Sequence, residues 1–226
     1  MLIVKIIHKI GCVLLAFGLC SLVFAAKPVV QPFTPPPQPD LIGQGLYDQY
    51  RYSLLYYYGK TVNGALVGTV IGNFKPWPEH IQSLELAYTL QPDNFLRRLV
   101  NPLVGIVQLA GNVTLRQGAN ENTIYEFNPY LMFRWANFPW NHYVDTSLAL
   151  AEGVSYDTSV PAIEKRGNNN TRRLLNYLMF EATFAAPTYP RWQFVLRVHH
   201  RSGAYGLYRA GNTGSNDIGA AIRYLF

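Results

Sequence analysis

Residues 192–199 read Trp-Gln-Phe-Val-Leu-Arg-Val-His, an alternation that decides the fold. Successive side chains of an extended strand point to opposite faces, so residues two apart share a face. One face is wholly apolar and carries Trp192, Phe194, Leu196 and Val198. The opposite face includes Gln193, Arg197 and His199. This pattern is typical of a membrane β-barrel, whose wall meets lipid and whose lumen is polar.

Similar segments recur along the chain from about residue 50. The eight candidate strands are Arg51–Gly59, His80–Leu90, Leu103–Arg116, Thr123–Trp135, Val144–Glu152, Leu174–Ala186, Trp192–His200 and Asn216–Phe226. After the N-terminal region no apolar run reaches the roughly eighteen residues that a membrane helix needs, so any spanning element must be a strand. We therefore predict an all-β fold over residues 50–226, an antiparallel transmembrane β-barrel of about eight strands in a Gram-negative outer membrane.

The end of the chain and the connections support this prediction. Residues 221–226 read Ala-Ile-Arg-Tyr-Leu-Phe, which resembles the C-terminal signal that barrel-assembly machinery recognises. With the final strand running toward the periplasm, the turns 136–142 and 187–190 and the longer segment 91–102 are periplasmic. The longer connections 60–79, 153–173 and 201–215 are extracellular. The alternative is a soluble periplasmic barrel of the lipocalin kind, which would place its apolar side chains inside.

The N-terminus predicts export. Lys5 and Lys9 precede an apolar run from Ile10 to Phe24, and Ala25 supplies a small residue before the expected cut. We predict a signal peptide over residues 1–25, with an uncleaved helical anchor as the alternative. Its removal takes away both cysteines of the chain, so the mature protein would have no thiol for a disulfide or a metal. Residues 26–49, rich in proline up to residue 40, are predicted to be a periplasmic linker.

Charge excludes one class of partner. Without the two lysines of the signal peptide, 17 basic side chains face 13 acidic ones, a net charge of +4. This mild and scattered excess does not indicate nucleic-acid binding, whereas attraction to an anionic lipid surface is compatible with it.

The candidate chemistry lies at the outer end of the seventh strand, where His200 and Ser202 continue the apolar, lipid-facing parity. Imidazole and hydroxyl are the general base and the nucleophile of acyl transfer, and at this height they would meet a lipid ester in the outer leaflet. The alternative is an interfacial polar rim, which every membrane barrel has.

The pair His200-x-Ser202 at the top of the penultimate strand of a small barrel resembles the lipid A 3-O-deacylases, also called outer-membrane acyloxyacyl hydrolases. The resemblance is closest in the C-terminal third. It implies a metal-free and cofactor-free serine hydrolase acting on lipid A of lipopolysaccharide, with His200 as base and Ser202 as nucleophile. The chain departs from the family in having Gly203 where the family has asparagine, and Gly214 near the place of the family's acid.

The third member of the triad has three candidates. Asp217 begins the eighth strand beside the end of the seventh, but its parity is inward, so a bulge would have to re-aim it. Asn216 has the outward parity and could orient His200 without charge, as an amide does in some cysteine proteases. Glu152 has outward parity but lies two strands away. The prediction ranks Asp217 first, Asn216 second and Glu152 third.

Other polar residues have weaker assignments. Four arginines at the outer end are candidate contacts for the phosphates of lipid A, or else ordinary loop charges: Arg172, Arg173, Arg201 and Arg209. His199 and His200 face opposite ways and should not share a metal. Glu181 and Arg197 both have lumen parity and are expected to pair.

Two further functions remain open. One is a non-enzymatic small barrel that acts through its extracellular loops. The other is a lipid A palmitoylating barrel, which would hold an acyl chain in a wide apolar lumen. The oligomeric state is not indicated by the sequence.

Overall fold

The computed structural model describes residues 41–166 and 170–226. The predicted signal peptide and the linker up to residue 40 lie outside the described residues, so both stay predictions.

Eight antiparallel strands close into one barrel, each pairing with the next in sequence and the last with the first. They are β1 (Tyr52–Asn63), β2 (Lys75–Thr89), β3 (Ile106–Gly118), β4 (Glu121–Trp135), β5 (Asp145–Asp157), β6 (Leu174–Ala185), β7 (Trp192–Ser202) and β8 (Gly214–Leu225). The predicted fold and strand count are confirmed. Several strands extend beyond the predicted limits because pairing continues past the apolar belt: β1 adds Lys60–Asn63 and β5 adds Gly153–Asp157.

The outer wall of the barrel is apolar, whereas its interior combines buried polar and charged side chains with smaller apolar and aromatic clusters. Along β1 the side chains alternate between exposed and buried, with Leu54 and Tyr56 exposed and Ser53 buried. On β7 Trp192, Phe194 and Leu196 are exposed, whereas inward residues such as Gln193 and Arg197 are buried. A soluble barrel would show the reverse, so the lipocalin-like alternative is wrong.

Charged side chains occupy much of the lumen. Glu181 accepts from Arg134 at 2.7 Å, from Arg197 at 2.6 Å and from Arg223 at 2.7 Å, and it lies wholly inside the wall. A second cluster nearer the outer end centres on Arg116, which contacts Asp217 at 2.9 Å and Glu126 at 3.4 Å. The predicted pairing of Glu181 with Arg197 is confirmed. A lumen packed with ion pairs cannot hold an acyl chain, which argues against the palmitoylating alternative.

Aromatic side chains mark both edges of the apolar belt. At the end where β1 begins and β8 ends, the exposed rings are Tyr52, Trp135, Trp192 and Phe226; toward the opposite end they are Tyr58, Tyr125 and Tyr156. Such girdles lie at the two membrane interfaces. An even-stranded antiparallel barrel with an apolar exterior and a charged interior is a Gram-negative outer-membrane protein.

Among the described residues, no helix is both long and apolar enough to cross a bilayer.

A short helix closes the end of the barrel at which the chain enters, here called the periplasmic end. This helix, α1 (Gln44–Gln49), buries Leu46 and Tyr47 against Ile106 and Leu225. The hydroxyl of Tyr47 donates to Gln193 Oε1 at 3.2 Å. The prediction of a linker through residue 49 is therefore wrong for its last residues, because two large apolar side chains gain more by filling the mouth than by remaining in water.

The connections at the opposite end, called the outer end, carry most of the remaining local structure. They contain α2 (Leu66–Val70), α4 (Ala162–Lys165) and a 3₁₀ turn (Ala204–Gly206). The periplasmic connection between β2 and β3 contains α3 (Phe95–Val100), whose Arg97 pairs with Asp48 of α1 at 2.5 Å. The β3–β4 turn at the outer end is only two residues long, and the periplasmic connection 90–105 is as long as the longest outer connection, 158–173, so the predicted asymmetry of connection lengths holds only in part.

Candidate functional site

His200 and Ser202 lie at the outer end of β7, on the outward face and half-buried. Between them Arg201 points into the lumen, where its guanidinium lies 3.1 Å from Glu164. The two outward side chains are two residues apart, so their Cα atoms are separated by about 6.6 Å. Within the described part of the chain the Ser202 hydroxyl forms no side-chain hydrogen bond. Catalytic hydrogen bonds are often long without substrate and tighten in the Michaelis complex.

Asn216 holds the imidazole of His200. Its Oδ1 lies 2.7 Å from His200 Nδ1, and its Nδ2 donates to the carbonyl of Gly64 at 2.7 Å. A carbonyl can only accept, so the contact with Gly64 fixes which way the amide faces. Nδ1 of His200 must therefore carry the proton, and Nε2 keeps its lone pair. This is the tautomer that a general base requires.

Asp217 is not the partner of His200. Its carboxylate faces the lumen, where it accepts from Arg116 at 2.9 Å and from Thr61 at 2.5 Å. The pairing of β7 with β8 is regular here, with His199 opposite Asp217 and His200 opposite Asn216. The bulge that would have re-aimed Asp217 is absent from this pairing, so the first-ranked acid is corrected in favour of the second-ranked Asn216.

Glu152, the third-ranked candidate, lies on the same row of the wall but does not reach His200. The row runs from Glu152 on β5 to Leu178 on β6 and then to His200. Two strand spacings separate the outer members by about 10 Å. The apolar side chain of Leu178 stands between them.

Steric crowding explains both departures from the deacylase pattern. A Cβ at Gly203 would lie 2.4 Å from the carbonyl oxygen of Gly211, and one at Gly214 would lie 2.3 Å from that of Arg201. Neither position accepts a side chain without moving backbone. An asparagine at position 203 and an acid at position 214 would therefore each clash with backbone here.

An open groove of about 1190 Å³ surrounds the pair. Its lining is partly apolar and partly polar and includes Leu66, Ile163, Leu178, His200, Ser202 and Asn216. The groove lies where the outward wall of the barrel meets the outer loops. A ligand that has both hydrocarbon and polar parts matches such a lining.

Glu164 of α4 lies beside this groove and plugs the outer mouth. Its Oε1 accepts from Ser215 at 2.9 Å, and its Oε2 is buried without a hydrogen-bond partner among the described residues. Burial raises the pKa of the Glu164 carboxyl to about 8, although the positive charge of Arg116 acts in the opposite direction. Nothing in the sequence pattern separated this residue from an ordinary loop glutamate.

Asn176 of β6 is a further polar member of the site. It lies directly opposite Ser202 across the two strands and lines the same groove. Side chains of directly opposed residues are about 5 Å apart at Cβ. In the described part of the chain the Asn176 amide makes no hydrogen bond, so its N–H groups are available to a ligand. Asn176 could have been identified from the sequence, because its position on β6 has the same outward parity as His200 and Ser202 on β7.

The four arginines do not act together. Arg201 is wholly buried in the lumen beside Asp157 and Glu164, so the prediction that it contacts a substrate phosphate is wrong. The other three share a second groove at the outer end: Arg172, Arg173 and Arg209.

The two neighbouring histidines face opposite sides of the wall, as predicted. His199 points inward, with its Nε2 2.6 Å from Glu126. Within residues 41–166 and 170–226, no group of three or more metal-ligating side chains comes together.

No protein-family model matches the chain, and no curated protein matches its sequence. Among solved structures, the outer membrane enzyme PagL is similar at 13% identity, covering 76% of this chain and 98% of that one, with a TM-score of 0.46. Neisserial surface protein A is similar at 9% identity, with coverages of 77% and 96% and a TM-score of 0.45. Ail, the attachment invasion locus protein of Yersinia pestis, is similar at 12% identity, with coverages of 78% and 98% and a TM-score of 0.37. Similarities this low do not bear on the activity of the chain.

Proposed function

We propose that this protein is a serine esterase that removes an ester-linked acyl chain from lipid A in the outer leaflet of the outer membrane. The observation that carries the proposal is the contact between His200 Nδ1 and the amide oxygen of Asn216, which leaves Nε2 of His200 as a free base two residues from Ser202 on the same face of β7. The pair lies on the outward wall, at the level where the ester groups of a surrounding lipid would stand.

In the first half of the reaction Ser202 Oγ attacks the ester carbonyl while its proton passes to His200 Nε2. The bond between the carbonyl carbon and the sugar oxygen then breaks, and the leaving oxygen takes the proton back from His200. The acyl chain is now an ester of Ser202. The positive charge on His200 during this step is stabilised by the carbonyl oxygen of Asn216.

In the second half a water molecule attacks the acyl-enzyme, with His200 again taking the proton. Fatty acid leaves and Ser202 recovers its hydrogen. In both halves a negative charge develops on the carbonyl oxygen of the substrate. The free amide of Asn176, opposite Ser202, is the donor placed to stabilise it.

Mass spectrometry of lipid A from cells that express the wild type and Ser202→Ala tests the proposal. We expect one acyl chain to be lost in the wild type and in the control Ser159→Ala, which changes an exposed serine of the β5–β6 loop. Ser202→Ala and His200→Ala should leave lipid A intact while the heat-modifiable folded band persists. Deacylation by both site variants would refute the mechanism.

The rival function is a non-enzymatic barrel that binds through its outer loops. Exposed apolar side chains on these loops, among them Val67, Ile71 and Leu207, favour it. Unchanged lipid A in the wild type, with the barrel inserted in the membrane, would select this rival.

A further inference from the structure

A second groove, here called the arginine groove, lies at the outer end on the other side of Ser202 from Asn216. It has a volume of about 460 Å³. It is formed by the ends of β5 and β6 and by the β7–β8 loop. Its lining consists of three cationic side chains, Arg172, Arg173 and Arg209, and four apolar or aromatic ones, Tyr156, Leu174, Leu207 and Tyr208.

The three guanidinium groups have no carboxylate partner among the described residues. The buried arginines of the lumen differ from these three, because Arg116, Arg134 and Arg197 each lie within 3 Å of a glutamate or aspartate. Three exposed cations in one groove repel one another unless an anion lies between them. Guanidinium groups bind phosphate through paired, parallel hydrogen bonds, which makes phosphate the matching anion.

The apolar part of the groove faces the membrane. Leu174 and Tyr156 pair across β5 and β6, have outward parity and are 45% and 43% exposed. They end the apolar wall just below the arginines. A ligand that fits both parts carries a phosphate at the membrane surface and hydrocarbon beneath it, which describes a phosphorylated lipid and not a free anion.

The arginine groove is close to the proposed nucleophile. Asn176, opposite Ser202, is two residues along β6 from Leu174. One strand spacing and two residue steps put Leu174 about 8 Å from Ser202. A single phosphorylated glycolipid can therefore span both grooves.

We infer that the arginine groove binds a phosphate group of an outer-leaflet glycolipid of the lipid A class. The inference rests on the proposed function in one respect: that function makes the bound lipid the substrate. Binding of the phosphate itself needs neither His200 nor Ser202. Phosphate held by the three arginines would place the neighbouring acyl ester at Ser202. Loss of the cations should then weaken binding and leave the hydrolytic residues unaltered.

Binding is measured with the purified full chain carrying Ser202→Ala, so that no lipid is hydrolysed, in detergent or nanodiscs. The probes are bisphosphorylated lipid A and the same lipid after removal of its phosphates. We expect the phosphorylated lipid to bind at least about tenfold more tightly, with a preference that falls as salt rises. The triple variant Arg172→Gln, Arg173→Gln, Arg209→Gln should bind both lipids alike.

A matched control removes three exposed cations elsewhere on the barrel, Lys60, Lys75 and Arg98, each replaced by glutamine. This control variant should still bind phosphorylated lipid A more tightly than the dephosphorylated lipid. That result would distinguish a local phosphate site from a general attraction of the anionic lipid to the net positive charge. Equal binding of the two lipids by the parent chain would overturn the inference, as would a preference that the control loses equally. Competition by millimolar inorganic phosphate as effective as by the lipid would also overturn it, because the site would then recognise a free anion.

The two proposals can fail separately. A phosphate preference that depends on the three arginines, found in a protein whose wild type leaves lipid A intact, would support the binding site and refute the esterase. If the triple variant leaves deacylation unaffected and both lipids bind equally, the esterase is supported and the phosphate-binding site is refuted.

Discussion

Replacing Asn216 by alanine tests how His200 is held. In the wild type the amide makes two hydrogen bonds of 2.7 Å, one with His200 and one with the carbonyl of Gly64, and it is 5% exposed. As His200 takes the proton from Ser202, the bond to Asn216 becomes a hydrogen bond to a charged group, which contributes about 1.5–3 kcal/mol. In the ground state the same bond is neutral and contributes about 0.5–1.5 kcal/mol, so only the difference of about 1–1.5 kcal/mol falls on the barrier.

At 1.36 kcal/mol per factor of ten, Asn216→Ala should lower kcat by about 5- to 13-fold. KM should change little, because Asn216 contacts the base and not the lipid. The assay follows fatty-acid release from lipid A in mixed micelles and determines kcat and KM separately. Asn216→Asp keeps an acceptor for His200, so its kcat should exceed that of the alanine variant.

The control is Asn212→Ala, which removes another amide from the same groove on an exposed loop position. Its kcat should stay within about twofold of wild type. A kcat for Asn216→Ala as high as that of the control would refute the role given to Asn216. A loss confined to KM would also refute it, because the amide would then act on the substrate.

Three other substitutions probe the site and the barrel. Asn176→Ala should lower kcat by about 10²- to 10³-fold, as expected for an oxyanion donor, and a kcat like that of Asn212→Ala would remove it from the mechanism. The pKa of Glu164 is raised to about 8 from 4.5, so the stability it contributes is full below pH 4.5 and lost as pH rises through 8. Glu164→Gln should therefore show a smaller fall in melting temperature between pH 5 and pH 9 than the wild type. Glu181→Ala leaves three buried arginines without their shared carboxylate and should cost at least about 3–5 kcal/mol in unfolding free energy, whereas Glu152→Ala on the outer wall should cost far less.

The architecture could be predicted from the sequence because a barrel wall imposes a strict period of two. Each strand separates lipid from a charged lumen, so alternate positions have opposite chemistry, and Trp192 and Arg197 show this directly. The same period placed His200 and Ser202 on the outer wall and Glu181 opposite Arg197 inside. The helix α1 was missed, because a single turn with Leu46 and Tyr47 has no periodicity to detect.

The alternation gave Asn216 the outward face and Asp217 the inward one, but it did not show whether a bulge re-aims the carboxylate or which residue of β8 lies opposite His200. Asp217 and Asn216 are adjacent in the chain, and a one-residue slip of β8 would exchange their faces. The pairing of β7 with β8 puts the amide outside and the carboxylate beside Arg116. Loop packing likewise excluded side chains at Gly203 and Gly214.

The sequence by itself determined which face of the wall most strand residues occupy, since lipid excludes charged and polar side chains from the outer face of each strand. Only the tertiary structure decided which residues meet. Arg172, Arg173 and Arg209 come from two loops and share one groove, whereas Arg201 is buried in the lumen. Such contacts join residues tens of positions apart, and their formation depends on the closure of the barrel and on the packing of the outer loops, which no local pattern encodes.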